Sequence, residues 1–156
     1  MNAAPARADG NPKRGGGLRA TVPRKPTWED ADLLLRIDEL AAREETRRAL
    51  DWFRKHHLGI EGDGQHPISR EADEIEHVYR FVELFETVGT LVKHDLLSEE
   101  LVHDRWMTRS AWEFLRPTIE RERRLAGPGF AENFEWLAER NRAWATRRRP
   151  AAPKRT

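Results

Sequence analysis

A chain of 156 residues with 38% apolar and 35% charged side chains predicts one domain with a modest core and a heavily charged surface. Its net charge of +1 is unevenly distributed, at +5 over residues 1–26, −10 over 27–140 and +6 over 141–156. The absence of cysteine excludes disulfides, a thiol nucleophile and cysteine-ligated zinc. No apolar run approaches the roughly 20 residues of a membrane span, and residues 1–10 lack a secretory signal, so we expect a cytoplasmic protein.

Both ends of the chain are predicted to be disordered and basic. Residues 1–26 contain four prolines and the run Gly15–Gly17, so they offer almost nothing to a packed core. The tail, residues 147–156, has two prolines and five basic residues and is interpreted in the same way. A helical domain is therefore predicted over residues 27–146.

The first helical segment is predicted to begin after Thr27, whose hydroxyl can cap it, with Asp30 completing a capping box. Its apolar positions change to roughly the opposite helical face near residue 42. A single straight helix would then need a core on both sides. We therefore predict two helices, over 29–41 and 44–57, with a bend between them.

A glycine-rich loop over residues 58–67 is predicted to separate this pair from the longest helix, over 70–94, with Ser69 as its cap. The long helix keeps one wide apolar stripe along its length. Gly89 lies within that stripe, where glycine costs about 1 kcal/mol of helix propensity relative to alanine. We expect the compensation to be the close approach of another helix.

A further helix is predicted to begin at Ser98 and to continue, with a kink at Pro117, as far as the Gly127–Gly129 turn. Its apolar positions stay in phase on both sides of the proline, which favours a kink over a stop. A last helix is predicted over about 130–146. The pattern as a whole predicts an all-α fold, a compact bundle of about five helices with short connections.

Three short motifs within the predicted helices are similar to those of a known family. They are Phe85-Glu86-x-x-Gly89-x-Leu91-Val92, Trp112-x-x-Leu115-x-Pro117-x-Ile119-x-x-x-Arg123 and Glu132-Asn133-Phe134-Glu135-Trp136-Leu137. The chain resembles the bacterial domain of unknown function family numbered 4760, over about residues 30–140. The resemblance implies a small helical protein, and it implies no activity, because none is assigned to the family. Some members carry an added membrane anchor, which we expect this chain to lack.

The best metal-binding pattern is a pair of Glu-x-x-His spacings, Glu74–His77 and Glu100–His103. Residues three apart share a helix face, and two such pairs with two further glutamates hold the di-metal site of ferritin-like bundles. Glu74 and His77 lie on or beside the apolar stripe of their helix, whereas His103 lies opposite its own stripe. Only Glu74 and His77 remain as metal candidates. Chance spacing in an acid-rich chain is the simpler explanation, and we expect no bound cofactor.

No nucleophile–base pair is indicated by the sequence. Ser69 and Ser98 are explained as helix caps, and His56 and His57 as partners of the dipole at a helix C-terminus. The leading hypothesis is therefore a non-catalytic helical interaction or regulatory module, whose partner is another protein or a second copy of the chain.

Two parts of the surface are candidates for contacts with partners. Trp28 and Trp136 fall off the apolar stripes of their helices, which favours either a protein-binding surface or partial burial at the edge of the bundle. The basic ends would bind nucleic acid weakly through phosphate contacts, although the acidic body opposes this. The candidate residues there are Arg14, Arg147, Arg148 and Arg149. A metal-dependent helical-bundle enzyme is the third hypothesis.

Overall fold

In a computed structural model of the protein, residues 24–57, 68 and 71–148 are described, and every regular element within them is an α-helix. The prediction of an all-α fold is confirmed. The helices, in chain order, are α1 (Trp28–Ala41), α2 (Glu44–His57), α3 (Ala72–Lys93), α4 (Glu99–Arg105), α5 (Thr108–Ala126) and α6 (Glu132–Arg148). None of these described helices is both long and apolar enough to cross a lipid bilayer. Most of the predicted arms lie outside the described residues. Ser69 also lies outside them, and Glu71, not Ser69, occupies the N-cap position of α3, contrary to the prediction.

Helices α1 and α2 meet at the bend that the change of apolar face predicts, and their bounds agree with the prediction within one residue. α1 begins with the predicted capping box. The Thr27 hydroxyl accepts a hydrogen bond from the backbone N–H of Asp30, and the Asp30 carboxylate accepts one from the backbone N–H of Thr27. α2 buries only Ala49 and Trp52, because most of its surface is polar.

Helix α3 is the centre of the bundle and packs against both α2 and α6. The largest fully buried apolar side chains of the common core are Phe81, Phe134, Ile37, Leu97, Leu115, Ile119 and Leu137. Gly89 lies where α3 meets α6, and a Cβ atom there would come within 2.5 Å of the backbone oxygen of Asn133. The predicted close approach of a second helix is confirmed, and it depends on the missing side chain.

The helix predicted from Ser98 onwards is in fact two helices, so the described residues form six helices where about five were predicted. The helix is interrupted at Trp106 and Met107, whereas Pro117 lies inside α5. The proline therefore does not mark the discontinuity. Ser98 occupies the N-cap position of α4, but its side chain makes no capping hydrogen bond, contrary to the prediction.

The phase of the buried positions gives the break a physical reason. If the buried stripe that starts at Thr108 continued backwards at 3.6 residues per turn, it would include Asp104 and Arg105. Burying these charges without partners would be costly. The break leaves both side chains exposed and buries Val102 and His103 in their place. The prediction that His103 faces away from the core is therefore wrong.

A buried carboxylate ties the start of α1 to the turn between α3 and α4. Asp30 is 1% exposed, and its two oxygens each lie 2.5 Å from a guanidinium nitrogen of Arg24. The backbone N–H of Ser98 donates to the same carboxylate at 2.8 Å. Arg24, aided by the donors at Thr27 and Ser98, outweighs the effect of burial and lowers the pKa of Asp30 to about 2. Arg24, which the sequence places in the basic arm, is thus a structural residue of the helical domain.

The motifs that carry the family resemblance meet where α6 joins the bundle. Glu86 accepts hydrogen bonds from the backbone N–H of Phe134 at 2.8 Å and from the side-chain amide of Asn133 at 3.1 Å, so it caps the first turn of α6. Arg123, near the end of α5, donates to Glu135 at 2.7 Å. The motifs therefore describe how α6 is held against α3 and α5.

A second buried ion pair joins α4 to α6. Arg140 donates from Nε to both carboxylate oxygens of Glu99 at 3.1 Å, and Nε2 of His103 lies 3.2 Å from one of them. The side chains of Glu99 and Arg140 are only 10% and 12% exposed. Burial favours the neutral acid, but the hydrogen bonds from His103 and Arg140 outweigh it and lower the pKa of Glu99 to about 2.

Candidate interaction groove

The two Glu-x-x-His pairs lie in different parts of the fold. Glu74, in the first turn of α3, has its carboxylate 3.8 Å from a ring nitrogen of His56, and the ring of His77 lies 5.8 Å from that of Trp52. His103 belongs to the buried ion pair between α4 and α6. Within the described part of the chain, no three acidic or histidine side chains are grouped so that they could hold a metal ion.

The two candidate tryptophans occupy different environments. Trp28 begins α1 with 89% of its surface exposed. Trp136 is half-buried against the core, and the guanidinium of Arg140 lies 5.5 Å from the centre of its ring. This cation–π contact explains Trp136 as part of the packing around the α4–α6 ion pair. Trp28 is therefore the more exposed of the two candidates.

The candidate residues of the basic ends lie at or beyond the limits of the described chain. Arg14 and Arg149 are outside it. Arg147 and Arg148 are the last two residues of α6, which extends two residues past its predicted end. Arg147 is exposed. Nucleic-acid binding through the ends stays a prediction.

An open-sided groove of about 550 Å³ lies between α2 and the junction of α4 with α5. The α1–α2 bend contributes Ala42 to it, and the interruption between α4 and α5 contributes Trp106 and Met107. Its principal apolar residues are Leu50, Phe53, Phe81, Phe85, Trp106, Met107 and Ala111. Concave apolar surfaces with a few polar groups are typical binding sites. The groove is therefore the strongest candidate for a functional site.

One face of α2 forms a wall of the groove, because its lining residues follow helical spacing from Arg47 to His57. The centre of the Phe53 ring lies 4.5 Å from the centre of the Phe81 ring and 4.9 Å from that of the His57 ring. On the opposite wall Met107 is 66% exposed. Methionine side chains are flexible and adapt to varied partners, so this wall can adjust to a bound segment.

The rim of the groove is positively charged. Arg47, Arg54 and Arg105 line it together with a single acid, Asp38. Arg47 and Arg54 share Asp51, and Arg105 lies 3.2 Å from Asp38, but the three arginine side chains are at least 50% exposed. Exposed pairs contribute only about 0–1 kcal/mol. The guanidinium groups can therefore turn towards a ligand at little cost.

One end of the groove carries hydrogen-bonding groups. Nε2 of His57, the last residue of α2, lies 2.7 Å from the hydroxyl of Ser110 in the first turn of α5. Burial lowers the pKa of His57, so its ring is neutral at neutral pH. The interpretation of His57 as a helix-dipole partner misses this contact, because 53 residues separate the pair along the chain.

A second groove of about 530 Å³ lies between α3 and the α1–α2 bend. Its lining includes two leucines and five charged side chains, namely Leu40, Leu84, Arg43, Arg80, Glu44, Glu45 and Glu83. Arg80 lies 3.4 Å from both Glu45 and Glu83, so part of this charge is already paired within the groove. Mixed charges around a small apolar floor make it a weaker candidate than the aromatic groove.

Comparison with protein families shows that the family described as Domain of unknown function (DUF4760) matches residues 27–141. The matched region includes every residue that lines the aromatic groove. No curated protein and no solved structure matches the chain significantly.

Proposed function

This chain belongs to the DUF4760 family, and we propose that its folded domain is a non-catalytic interaction module that binds a helical segment of a partner protein. The binding site is the aromatic groove between α2 and the α4–α5 junction. The observation that carries the proposal is the open apolar surface of this groove, with Phe53 and Met107 on opposite walls. The family has no assigned activity, so the proposal depends on the groove alone.

The dimensions of the groove suit a short helix. α2 lines it from Arg47 to His57, a span of about 15 Å at a rise of 1.5 Å per residue. This is nearly three helical turns, the length over which an amphipathic helix presents apolar anchors at positions i, i+3 or i+4, and i+7. A helix lying along the groove would cover Leu50, Phe53 and Met107, and it would remove apolar surface from water.

The charge of the rim indicates that the partner helix is acidic on its polar face. Arg47, Arg54 and Arg105 can each meet a carboxylate at the edge of the apolar contact. The domain as a whole repels such a helix, because residues 27–140 carry a net charge of −10. Attraction at the rim combined with repulsion elsewhere would restrict an acidic helix to this groove.

Two synthetic helical peptides test the proposal on the full-length chain. Both carry leucine at positions i, i+4 and i+7, and their polar positions are all glutamate in one peptide and all lysine in the other. We expect the glutamate peptide to bind, and Met107→Asp to weaken its binding at least ten-fold, a loss of about 1.4 kcal/mol. The matched control is Leu125→Asp, because Leu125 is also apolar, is 83% exposed and does not line the groove.

Titration calorimetry measures the affinity of each peptide, and circular dichroism verifies that both variants are folded. Affinity for the glutamate peptide that is unchanged by Met107→Asp, or reduced equally by Leu125→Asp, would show that the peptide binds elsewhere and would refute the proposal. Binding of the lysine peptide alone would instead indicate non-specific attraction to the acidic body, with the same consequence.

A further inference from the structure

The N-terminus of α5 borders the groove without a side-chain cap. Met107 holds the N-cap position and makes no side-chain capping hydrogen bond, and the first turn contains no acid. The backbone N–H groups of residues 108–110 have no backbone acceptor among the described residues. The first N–H groups of a helix and the positive end of its dipole together favour an anion. A helix end alone does not make a site, so a second observation is needed.

Thr108 supplies that observation. It is fully buried, and its hydroxyl has no hydrogen-bond partner within the described chain. Since the Cα–Cβ bonds of a helix tilt towards its N-terminus, the side chain of this first helical residue points to the same end as the free N–H groups. Buried hydroxyls are normally hydrogen-bonded. A hydroxyl without a partner at this place is a donor that a bound acceptor can satisfy.

Ser110 extends the same set of donors to the wall of the groove. Its hydroxyl lies 2.7 Å from Nε2 of His57, which lines the groove together with Met107 and Ala111. When Nε2 of the neutral imidazole carries the proton and donates it to the Ser110 oxygen, the Ser110 proton is free to be donated to a ligand. The neutral ring of His57 thus orients a donor without adding charge of its own.

We propose that the N-terminus of α5 is a carboxylate-binding site, and that the partner helix places an aspartate or glutamate side chain on it. This inference rests on the function proposed above, and it identifies the polar anchor of the same partner. The carboxylate accepts hydrogen bonds from the N–H groups of α5 and from Ser110. The Thr108 hydroxyl, at the same end of α5, is the remaining donor without a partner among the described residues. The guanidinium groups of Arg54 and Arg105, on the rim of the same groove, add favourable charge.

A glutamine scan of the acidic peptide tests this site on the full-length chain. Each glutamate is replaced in turn by glutamine, and every peptide is titrated against the wild type, Thr108→Val and Ser110→Ala. We expect one glutamate to contribute about ten-fold in affinity on the wild type and almost nothing on the two variants. Thr108→Val should also leave the urea midpoint of the protein unchanged or raised, because it removes a buried hydroxyl that has no partner.

The possible outcomes separate this inference from the proposed function. If binding depends on Met107 but no glutamate is coupled to Thr108 or Ser110, the carboxylate site is refuted and the groove stands. If no peptide binds in a manner that depends on Met107, both proposals fail. A lowered urea midpoint for Thr108→Val would show that the hydroxyl already has a partner, which would overturn the inference even if the groove binds the peptide.

Discussion

Replacement of Arg24 by glutamine tests whether the residues before α1 belong to the folded domain. Arg24 bonds both oxygens of Asp30, and that carboxylate is almost completely buried. The variant keeps the backbone donors at Thr27 and Ser98. It removes the cation that balances the buried charge, so we expect the domain to unfold more easily.

The size of this effect follows from the pKa of Asp30, which is about 2 compared with an ordinary value of 3.8. At about 1.36 kcal/mol per pKa unit, the folded environment stabilises the charged carboxylate by roughly 2.5 kcal/mol. Arg24 is the largest cause of the shift, but its side chain is 37% exposed, so solvent screens part of the interaction. We therefore expect Arg24→Gln to lower the free energy of unfolding by about 1.5–2 kcal/mol at neutral pH.

The same carboxylate fixes the direction of the pH dependence. Because the pKa of Asp30 is lower in the folded state, the unfolded state takes up the proton more readily. The stabilisation is complete above a pH of about 3.8 and is lost as the pH falls towards about 2. The difference in stability between the wild type and Arg24→Gln should therefore be full at neutral pH and should shrink through this acidic range.

Urea denaturation followed by circular dichroism measures both effects. The control is Arg36→Gln, because Arg36 lies 2.9 Å from Asp32 in a pair whose side chains are 70% and 64% exposed, and its loss should change stability by less than about 0.5 kcal/mol. An effect of Arg24→Gln no larger than that of the control would refute the reasoning. A fragment that begins at Thr27, the predicted start of the domain, should lose about as much stability as Arg24→Gln.

Two further substitutions test how α6 is held, again by urea denaturation. Gly89→Ala places a Cβ atom 2.5 Å from a backbone oxygen of α6, so we expect a loss of about 1–3 kcal/mol despite the better helix propensity of alanine. Gly129→Ala, whose Cβ would have no atom within 4 Å, should be nearly neutral, and equal effects of the two would contradict the close approach. Glu99→Gln removes the carboxylate that balances the buried Arg140 and should cost about 3 kcal/mol at neutral pH. The exposed Glu113→Gln should cost less than about 0.5 kcal/mol, and an equally small effect of Glu99→Gln would show that its ion pair contributes little.

Features whose cause lies within a single helix could be predicted from the sequence. The change of apolar face near Ala42 indicates the bend, the spacing of Thr27 and Asp30 indicates the capping box, and Gly89 within an apolar stripe indicates a close helix approach. All three are confirmed. The residues that reveal the bend and the capping box lie within a few positions of them, and Gly89 reveals that its own helix face is closely approached, although not that Asn133 of α6 approaches it.

The buried ion pairs have no comparable pattern. Glu99 and Arg140 are 41 residues apart, and in a chain with 27 acids and 28 bases no periodicity selects one pair from the rest. Arg24 is only six residues from Asp30, but it lies in a stretch rich in proline and glycine, whose composition predicts disorder. Composition describes the average of a segment, whereas the contact with Asp30 depends on the single residue Arg24.

The sequence does not predict the groove, because it does not show which segment packs against the apolar face of α2. Leu50 and Phe53 belong to the apolar face of α2, and helical periodicity predicts that such a face packs against a core. The spacing of apolar residues shows which side of a helix is apolar. Which segment packs over that side depends on the path of a distant part of the chain. A straight helix from α4 into α5 would bury Asp104, so the helix is interrupted instead. Because of this interruption, Trp106 and Met107 form a wall of the groove opposite α2. Among the described residues, the helix interruption between α4 and α5, which periodicity does not predict, is therefore the feature that forms the wall of the groove opposite α2.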